Sequence, residues 1–385
     1  MRGKRKDNKG RVLHTGEYQR PNGTYQYRYT NKMHKTNSVY AKTLDALRRL
    51  EEDVQRDQLD GIDSSAGDMT VSDLIDRYIS LKRGLSPNTL RAYSTPINYI
   101  HSSSFGMLKV KQVKPSTAKA FYIQLHDEGK KRGTITCYHC ILHPAFEMAV
   151  DDDMIRKNPF KFQISDLIPD DRETRVALTR AQQQSFLDFL RDYARDDYYN
   201  DIVILLETGM RVSEMYGLTR RDVDFKHRCI HIDHQLCRTA EKPYFITTPK
   251  TKSGNRTIPM TDAAFATFHR ILKARPKPKV EMMVDGYSNF IFLDKDGKPK
   301  VGMHLQNYMR RLRPNLVRLY GNSFPRVTPH VLRHTFCTNM VNAGIDVKSL
   351  QYLMGHSNVS VTLDIYTHTD YNTVQSAFLK ATASM

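Results

Sequence analysis

A polar segment without helical or strand periodicity interrupts the chain at Gly61 to Asp68. Small and polar residues without a repeating apolar position cannot bury a face, so this segment is predicted to be a flexible linker. A second break follows Lys157-Asn158-Pro159-Phe160 and extends as irregular sequence to Glu173. Because 385 residues are too many for one ordinary domain, we expect the two breaks to separate independently folded units.

The predicted fold class is a multidomain α+β protein. It comprises a small basic module of sheet and helix, a four-helix domain, and a larger, mainly helical domain with a small β-sheet. The predicted boundaries are residues 1–60 for the first domain, 61–68 for the linker, 69–165 for the second domain and 166–385 for the third.

The first domain has a hairpin signal at Pro21-Asn22-Gly23, followed by a strand from Thr24 to Tyr29. Alternation along that strand places Tyr25, Tyr27 and Tyr29 on one face. Thr43 is predicted to cap a helix, whose apolar positions recur at helical spacing at Leu44, Leu47, Leu50 and Val54.

The charge balance indicates a polyanionic partner. The chain has 59 Lys and Arg against 41 Asp and Glu, a formal charge of +18, and the first 42 residues contain many basic residues opposed only by Asp7 and Glu17. Such an excess favours nucleic acid through counterion release. The sequence has no long apolar run, signal peptide or lipidation signal, so we expect a soluble, cytoplasmic protein without a membrane partner.

Four helices are predicted in the second domain from their start signals. Thr70 precedes the apolar positions Val71 to Ile79, and Ser86-Pro87 precedes Leu90 to Ile100. Lys114-Pro115 opens a helix through Leu125, and Thr134 begins another through Val150. A compact helical unit with several exposed lysines is suited to contact a DNA duplex.

The five cysteines are an odd number in a chain without an export signal, so reduced thiols are expected. Cys137, Cys140 and His143 imitate the spacing of metal ligands but lie within a helical pattern, where they are predicted to be packing residues. A second pair of ligands, which a zinc site would need, is missing from the sequence. We therefore predict no metal ion at these residues. The sequence also lacks a GxxxxGK[ST] phosphate-binding loop, and no cofactor is expected.

The third domain contains a buried helical run, Ile202 to Leu206, which Gly209 is expected to end. Three short runs have strand character: Cys229 to Ile232, Tyr244 to Thr248 and Arg256 to Met260. The last two are expected to be joined by a turn around Ser253-Gly254-Asn255.

Near its end the chain groups residues suited to phosphate chemistry. A phenol with a reference pKa of about 10 needs cationic and proton-transferring neighbours to attack a phosphate, and His330, Arg333 and His356 could serve Tyr366 in this way. Thr328-Pro329 predicts the start of the helix that holds His330 and Arg333, with His334 structural. Arg211, after Gly209, is a second candidate, because a guanidinium grips two phosphate oxygens. The alternative for Arg211 is a structural pair with Glu214.

These motifs resemble those of one family, the tyrosine recombinases or phage-type integrases. Thr208-Gly209-Met210-Arg211-Val212-Ser213-Glu214 is similar to the family's first arginine box, and His330-Val331-Leu332-Arg333-His334-Thr335 is similar to its HxLRHT box. Leu353-Met354-Gly355-His356-Ser357 and Tyr366-Thr367-His368 resemble its LGHS and YxH endings, with Met354 where leucine is usual. The resemblance extends from about Thr70 onward, and the basic N-terminal module is similar to that of conjugative-transposon integrases.

The resemblance implies the domain functions and the residue roles. The three domains would be an arm-type DNA-binding domain, a core-binding domain and a catalytic domain that close around DNA. Arg211 and Arg333 would bind the scissile phosphate, Tyr366 would attack it to form a 3′-phosphotyrosyl bond, and His330 and His356 would assist by hydrogen bonding and proton transfer. Lys250 is the predicted general acid, with Lys252 as its rival, because the register of the family's lysine hairpin is open.

The expected partners are double-stranded DNA with core-type and arm-type sites and three further copies of the chain, since strand exchange needs one subunit for each cleaved strand. An excisionase or a host DNA-bending protein would be an accessory partner. Val374, Ala377, Phe378 and Ala381 predict a C-terminal amphipathic helix that docks on a neighbouring subunit or on its own domain.

Two other functions remain as alternatives at this point, and a third is excluded. A type IB topoisomerase shares the nicking chemistry, and a non-catalytic DNA-binding regulator would explain the charge but not the six site residues. A relaxase needs a metal-binding histidine motif that His231 and His234, three residues apart on a strand, cannot supply.

Overall fold

A computed structural model describes residues 5–30, 36–59, 68–171, 176–193, 198–249, 252–360 and 362–363, together with Gln375 and Thr382. The described residues belong to two compact units, Met1–Glu173 and Thr174–Met385.

The N-terminal part of the first unit is a three-stranded antiparallel sheet with one helix. Strands β1 (Glu17–Gln19), β2 (Tyr25–Thr30) and β3 (Thr36–Ala41) pair in that order, and helix α1 (Leu44–Leu59) packs on them. This confirms the predicted sheet and helix. Their shared core consists of Leu13, Tyr25, Tyr27, Leu44, Leu47 and Val54.

One position of the predicted apolar stripe on α1 is wrong. Leu50 is 38% exposed, whereas Glu51 is buried. The helix buries the face through Leu47, Glu51 and Val54, and Leu50 lies beside that face rather than on it. Apolar spacing alone did not reveal that a carboxylate occupies a buried position.

The second part of this unit contains the four predicted helices. They are α2 (Val71–Leu81), α3 (Pro87–Ser102), α4 (Pro115–Asp127) and α5 (Arg132–Asp151). The hydroxyl of Thr70 accepts a hydrogen bond from the Asp73 amide, and the carboxylate of Asp73 accepts one from the Thr70 amide, which forms a capping box at the start of α2. The start of α5 differs slightly from the prediction, at Arg132 instead of Thr134. Aromatic side chains fill the core, including Tyr122, Tyr138, Phe146 and Phe160.

The predicted packing role of the cysteines on α5 is wrong. Cys140 is exposed and Cys137 is half-buried. The buried face of α5 passes through Ile135, Tyr138 and Leu142, because the larger apolar side chains determine which face turns toward the core.

The second unit is mainly helical with two small sheets. Its helices are α6 (Arg180–Tyr193), α7 (Tyr199–Thr208), α8 (Val212–Gly217), α9 (Asp262–Ala274), α10 (Gly302–Tyr320), α11 (Pro329–Asn342) and α12 (Val347–Met354). Its strands are β4 (Val223–Asp224), β5 (Cys229–Ile232), β6 (Gln235–Cys237), β7 (Phe245–Thr247) and β8 (Arg256–Pro259). Helix α7 is mostly buried and packs against α9 and α11.

The last two predicted strands do not pair with each other as a hairpin. Strand β8 pairs with β5 in the sheet β4-β5-β8, and β7 pairs with β6. Ile230 and Ile258 belong to the main core, whereas Leu236 and Ile246 pack in a separate cluster. The two strands therefore belong to different sheets because their apolar side chains are buried in different cores.

Across the described part of the chain, none of the helices combines the length and the apolar content that crossing a bilayer would require.

Candidate active site

A glycine turn positions the first candidate arginine. Gly209 ends α7 with a left-handed backbone, φ 62°, and its amide donates to the carbonyl of Leu205. A Cβ atom on Gly209 would lie 2.2 Å from Cδ1 of Phe336 on α11, so a side chain has no room there. This tight contact between α7 and α11 directs the chain to Arg211, the N-cap residue of α8.

Arg211 lies at the edge of the site, with its side chain 37% exposed. Its Nη1 donates to Oε1 of Glu214 at 2.6 Å, and its amide donates to Oε2 at 2.9 Å. The structural pair with Glu214 is therefore present. The Arg211 guanidinium also has a second acceptor, because its Nη2 donates to the carbonyl of Gly355 at 3.1 Å, on a segment far away in sequence.

Arg333 is buried on the first turns of α11. Thr328 caps this helix by accepting a hydrogen bond from the Val331 amide, with Pro329 as the first helical residue, as the sequence predicts. Nη1 of Arg333 donates to the carbonyl of Gly209 at 2.6 Å, and Nη2 donates to the carbonyl of Met354.

The two arginines converge on the turn that follows α12. They bind the carbonyl groups of two consecutive residues, Arg333 that of Met354 and Arg211 that of Gly355. Gly355 has a left-handed backbone, φ 61°, and ends α12. The turn thus contacts Arg211, which is 144 residues from Gly355 in the sequence, and Arg333, which is 21 residues from Met354, and His356 follows it directly.

His356 is neutral at physiological pH. Burial and the charges of Arg333, Arg211 and Arg256 lower the pKa of its imidazole to about 4. Its Nδ1 and the hydroxyl of Thr362 are 2.9 Å apart, and Gln351 donates to its carbonyl at 3.1 Å. A neutral imidazole has one ring N–H to donate and one lone pair to accept, which suits it to hydrogen bonding at a phosphate.

The electrostatics of the site favour an anion. Burial and the nearby charge of Arg211 lower the pKa of Arg333 to about 9, and the charge of Arg256 acts in the same direction. The Arg333 guanidinium remains charged at neutral pH. A negatively charged group between Arg211 and Arg333 would relieve their mutual repulsion, so the arrangement is suited to a phosphate.

Sequence reasoning missed a buried ion pair beneath these arginines. Arg256, the first residue of β8, donates from Nη2 to Oε2 of Glu214 at 2.7 Å and from Nη1 to Oε1 at 3.1 Å. Although burial raises the pKa of Glu214, the hydrogen bonds and charges of Arg256 and Arg211 hold it at about 2. The alternation of Arg256 with Ile258 indicates an inward side chain, but nothing in the sequence identifies its partner.

The remaining predicted site residues have different outcomes. His330 is exposed on the first turn of α11, and His334 is half-buried on the same helix. Lys250 and Tyr366 lie outside the described residues, as does the side chain of Lys252, whose backbone begins a short 3-10 helix, Lys252–Gly254. The C-terminal positions Val374, Ala377, Phe378 and Ala381 also lie outside them.

Among the described residues of this unit, two clusters have donor atoms close enough to share a metal ion, one at Asp222, Asp233 and His234 and the other on β4 and β5. Single ligand atoms of Asp224, Cys229 and His231 lie within 4.8 Å of one another on β4 and β5. The three residues are half-buried or exposed, and none of the hydrogen bonds found for the described residues joins them to the two arginines or to His356.

Comparison with known proteins identifies close relatives. Residues 177–373 match the phage integrase family, and residues 1–58 match the DNA binding domain of Tn916 integrase. The transposase from transposon Tn916 of Enterococcus faecalis is 37% identical to this chain, over 98% of this chain and 96% of its own length. The transposase from transposon Tn1545 of Streptococcus pneumoniae is 38% identical over the same shares. A structure of the Tn1549 transposon integrase in complex with a circular intermediate DNA is 38% identical, covers 81% of this chain and 99% of its own, and has a TM-score of 0.76.

Proposed function

The chain belongs to the phage integrase family of tyrosine recombinases, and from this membership we propose that it is a site-specific DNA recombinase that integrates and excises a mobile element. Its relatives are transposases that align with it over 98% of its length and a transposon integrase whose structure covers 81% of it. The proposal assigns it the same class of substrate, double-stranded DNA at the ends of an element.

The observation that carries this proposal is the convergence of Arg211, Arg333 and His356 on the turn after α12. During phosphoryl transfer, negative charge develops on the nonbridging oxygens of a phosphodiester, and fixed cations must stabilise it. Two guanidinium groups and a neutral imidazole offer these oxygens several N–H donors. We assign Arg211 and Arg333 to the scissile phosphate, with His330 and His356 as hydrogen-bonding and proton-transferring partners.

The nucleophile in this proposal is Tyr366, and Lys250 is the general acid, with Lys252 as the alternative. The phenol oxygen attacks phosphorus while its proton passes to His330 or His356, the bond to the 5′-oxygen breaks, and that oxygen leaves with a proton from the lysine. The product is a 3′-phosphotyrosyl bond and a free 5′-hydroxyl. Attack by the 5′-hydroxyl of a partner strand reverses these steps, so one phosphodiester replaces another without nucleotide hydrolysis.

The assembly follows from the same reaction. Exchange between two duplexes cleaves four strands in all, which calls for a homotetramer on core-type sites. Residues 1–60 would bind arm-type sites, 69–165 would contact the core duplex and 166–385 would carry out the chemistry. An excisionase or a host DNA-bending protein would act as an accessory partner, and the reaction would occur in the cytoplasm, where the element's DNA resides.

A suicide substrate tests the proposal. The substrate is a duplex from a candidate element end with a nick next to the cleavage position, so that a short 5′-hydroxyl fragment diffuses away and the covalent complex accumulates. We expect the protein to form a covalent DNA complex in the presence of a metal chelator, and Tyr366→Phe to bind the same DNA without forming it. If Tyr366→Phe traps as much DNA as the parent, the assignment of the nucleophile is wrong.

A further inference from the structure

Arg256 lies beneath the arginine site and bonds to the elements that carry Arg211 and the Gly355 turn, with its own side chain completely buried. It donates four hydrogen bonds: two to Glu214, one from Nε to the carbonyl of Leu353 at 2.8 Å, and one from Nη1 to the carbonyl of Gly254 at 3.1 Å. These acceptors lie on α8, on α12 and in the segment just before β8. A single guanidinium thus joins three segments that the chain brings together from distant positions.

The contact with the glycine turn is direct. A Cβ atom on Gly355 would lie 2.9 Å from Nη1 of Arg256 and 3.1 Å from its Cζ. The turn therefore rests on the guanidinium plane, and the carbonyl groups of Met354 and Gly355 on this turn accept from Arg333 and Arg211. A shift of Arg256 would move the acceptors that hold both phosphate-binding candidates.

Arg256 also determines how much of the charge of Glu214 acts on Arg211. Each carboxylate oxygen of Glu214 accepts one hydrogen bond from Arg256 and one from Arg211, the latter through Nη1 at Oε1 and through the amide at Oε2. Arg256 binds the carboxylate in a fork, whereas the Arg211 guanidinium uses one nitrogen. Without Arg256, the buried carboxylate would have Arg211 as its main cation and would draw that guanidinium away from an incoming phosphate.

We propose that Arg256 is a positioning residue for strand cleavage, which neutralises Glu214 and fixes the turn at Gly355 so that Arg211 and Arg333 face the scissile phosphate. The inference rests on the proposed function, because it takes these two arginines as the phosphate ligands. Arg256 itself does not touch the substrate.

The test compares two buried arginines in the same unit. Arg275 has matching contacts: Nε donates to the carbonyl of Phe290 at 2.8 Å, Nη2 donates to Glu281 at 2.8 Å, and Nη1 donates to the carbonyl of Pro276 at 3.2 Å. It lies outside the arginine site, so Arg275→Lys removes a buried guanidinium that also joins a carboxylate to backbone carbonyls, without touching the phosphate ligands. Each full-length variant is assayed for unfolding, for DNA affinity, and for the single-turnover rate of covalent capture at saturating DNA.

We expect Arg256→Lys to bind DNA within a few-fold of the parent but to lose capture rate on the order of a hundredfold, the effect of displacing a catalytic group by about 1 Å. Arg275→Lys is expected to capture DNA within a few-fold of the parental rate, even if its free energy of unfolding falls as much as that of Arg256→Lys. Parental capture by folded Arg256→Lys, or equal losses in both variants, would overturn the inference and leave the proposed function intact. Failure of the parent protein to form a covalent complex would overturn the proposed function and this inference with it.

If Arg256→Lys does not fold, a second comparison measures the same contribution. Glu214→Gln and the double variant Glu214→Gln/Arg256→Met both lack the buried carboxylate. Replacing Arg256 in this background therefore leaves no buried carboxylate without its cation. The double variant is expected to capture DNA at least about tenfold more slowly than Glu214→Gln, since it loses the hydrogen bonds to the Leu353 and Gly254 carbonyls. Equal capture rates would contradict the positioning role.

Discussion

At the scale of single residues, the geometry of the guanidinium groups should matter for cleavage, whereas their charge should be enough for DNA affinity. Arg211 and Arg333 each use two nitrogens on different acceptors, and a lysine could keep the charge but not this fork. We predict that Arg211→Lys and Arg333→Lys keep DNA affinity within a few-fold while reducing covalent capture by on the order of a hundredfold or more. Affinity and capture can be measured on the same labelled duplex. Equal losses of both would show that these arginines are structural.

The titration of His356 provides a second test at this scale. Its folded pKa of about 4 lies below the ordinary histidine value of 6.5, so between these pH values the unfolded chain binds more protons than the folded one. The stability that this group contributes is therefore fully present above pH 6.5 and is lost as the pH falls toward 4. We predict that the free energy of unfolding of His356→Gln falls less steeply than that of the parent over this interval. Parallel curves would contradict the lowered pKa.

At the scale of elements, the contact between α7 and α11 depends on the absence of a side chain at Gly209. Gly209→Ala would force a Cβ atom against Phe336 and strain a left-handed backbone, so the free energy of unfolding should fall by about 2 to 5 kcal/mol. Gly344 is a matched control: its φ is 84°, and a Cβ atom there would meet nothing within 4 Å. Gly344→Ala should cost only the backbone strain, about 1 to 2 kcal/mol. Equal losses in chemical denaturation would mean that the contact with Phe336 is unimportant.

The elements also show which features local sequence can predict. The starts of α2, α3 and α11 are predictable because Thr70, Ser86 and Thr328 cap them through amides only three residues away. The end of α7 at Gly209 is equally local. The pairing of β8 with β5 is not, because it depends on which core buries each strand.

The same distinction applies to the candidate site. Arg211, Arg333 and His356 were identified from their motifs, and the structure brings them to one turn. The ion pair between Glu214 and Arg256 was not identified, because it joins residues 42 positions apart and neither one alone marks the other. Lys250 and Tyr366 remain predictions from the sequence and its family.

At the scale of the whole molecule, the N-terminal module should be separable from the chemistry. Residues 1–58 match the DNA binding domain of Tn916 integrase, and its sheet and helix have a hydrophobic core of their own. We predict that removing residues 1–64 preserves capture of a short core site but weakens assembly on longer DNA that carries distal sites. Complexes on both DNAs can be compared by electrophoresis. Undiminished recombination of natural ends by the truncated protein would exclude an arm-binding role.

We propose that Tyr366 attacks a phosphodiester held by two arginines and becomes linked to its 3′ side. The most direct measurement is to digest the trapped protein–DNA complex with protease and nuclease and to identify the modified peptide by mass spectrometry. We expect a single nucleotide-linked peptide, with Tyr366 bonded to a 3′-phosphate and a free 5′-hydroxyl on the released strand. A link to another residue, a link to a 5′-phosphate, or cleaved DNA without any protein adduct would contradict it.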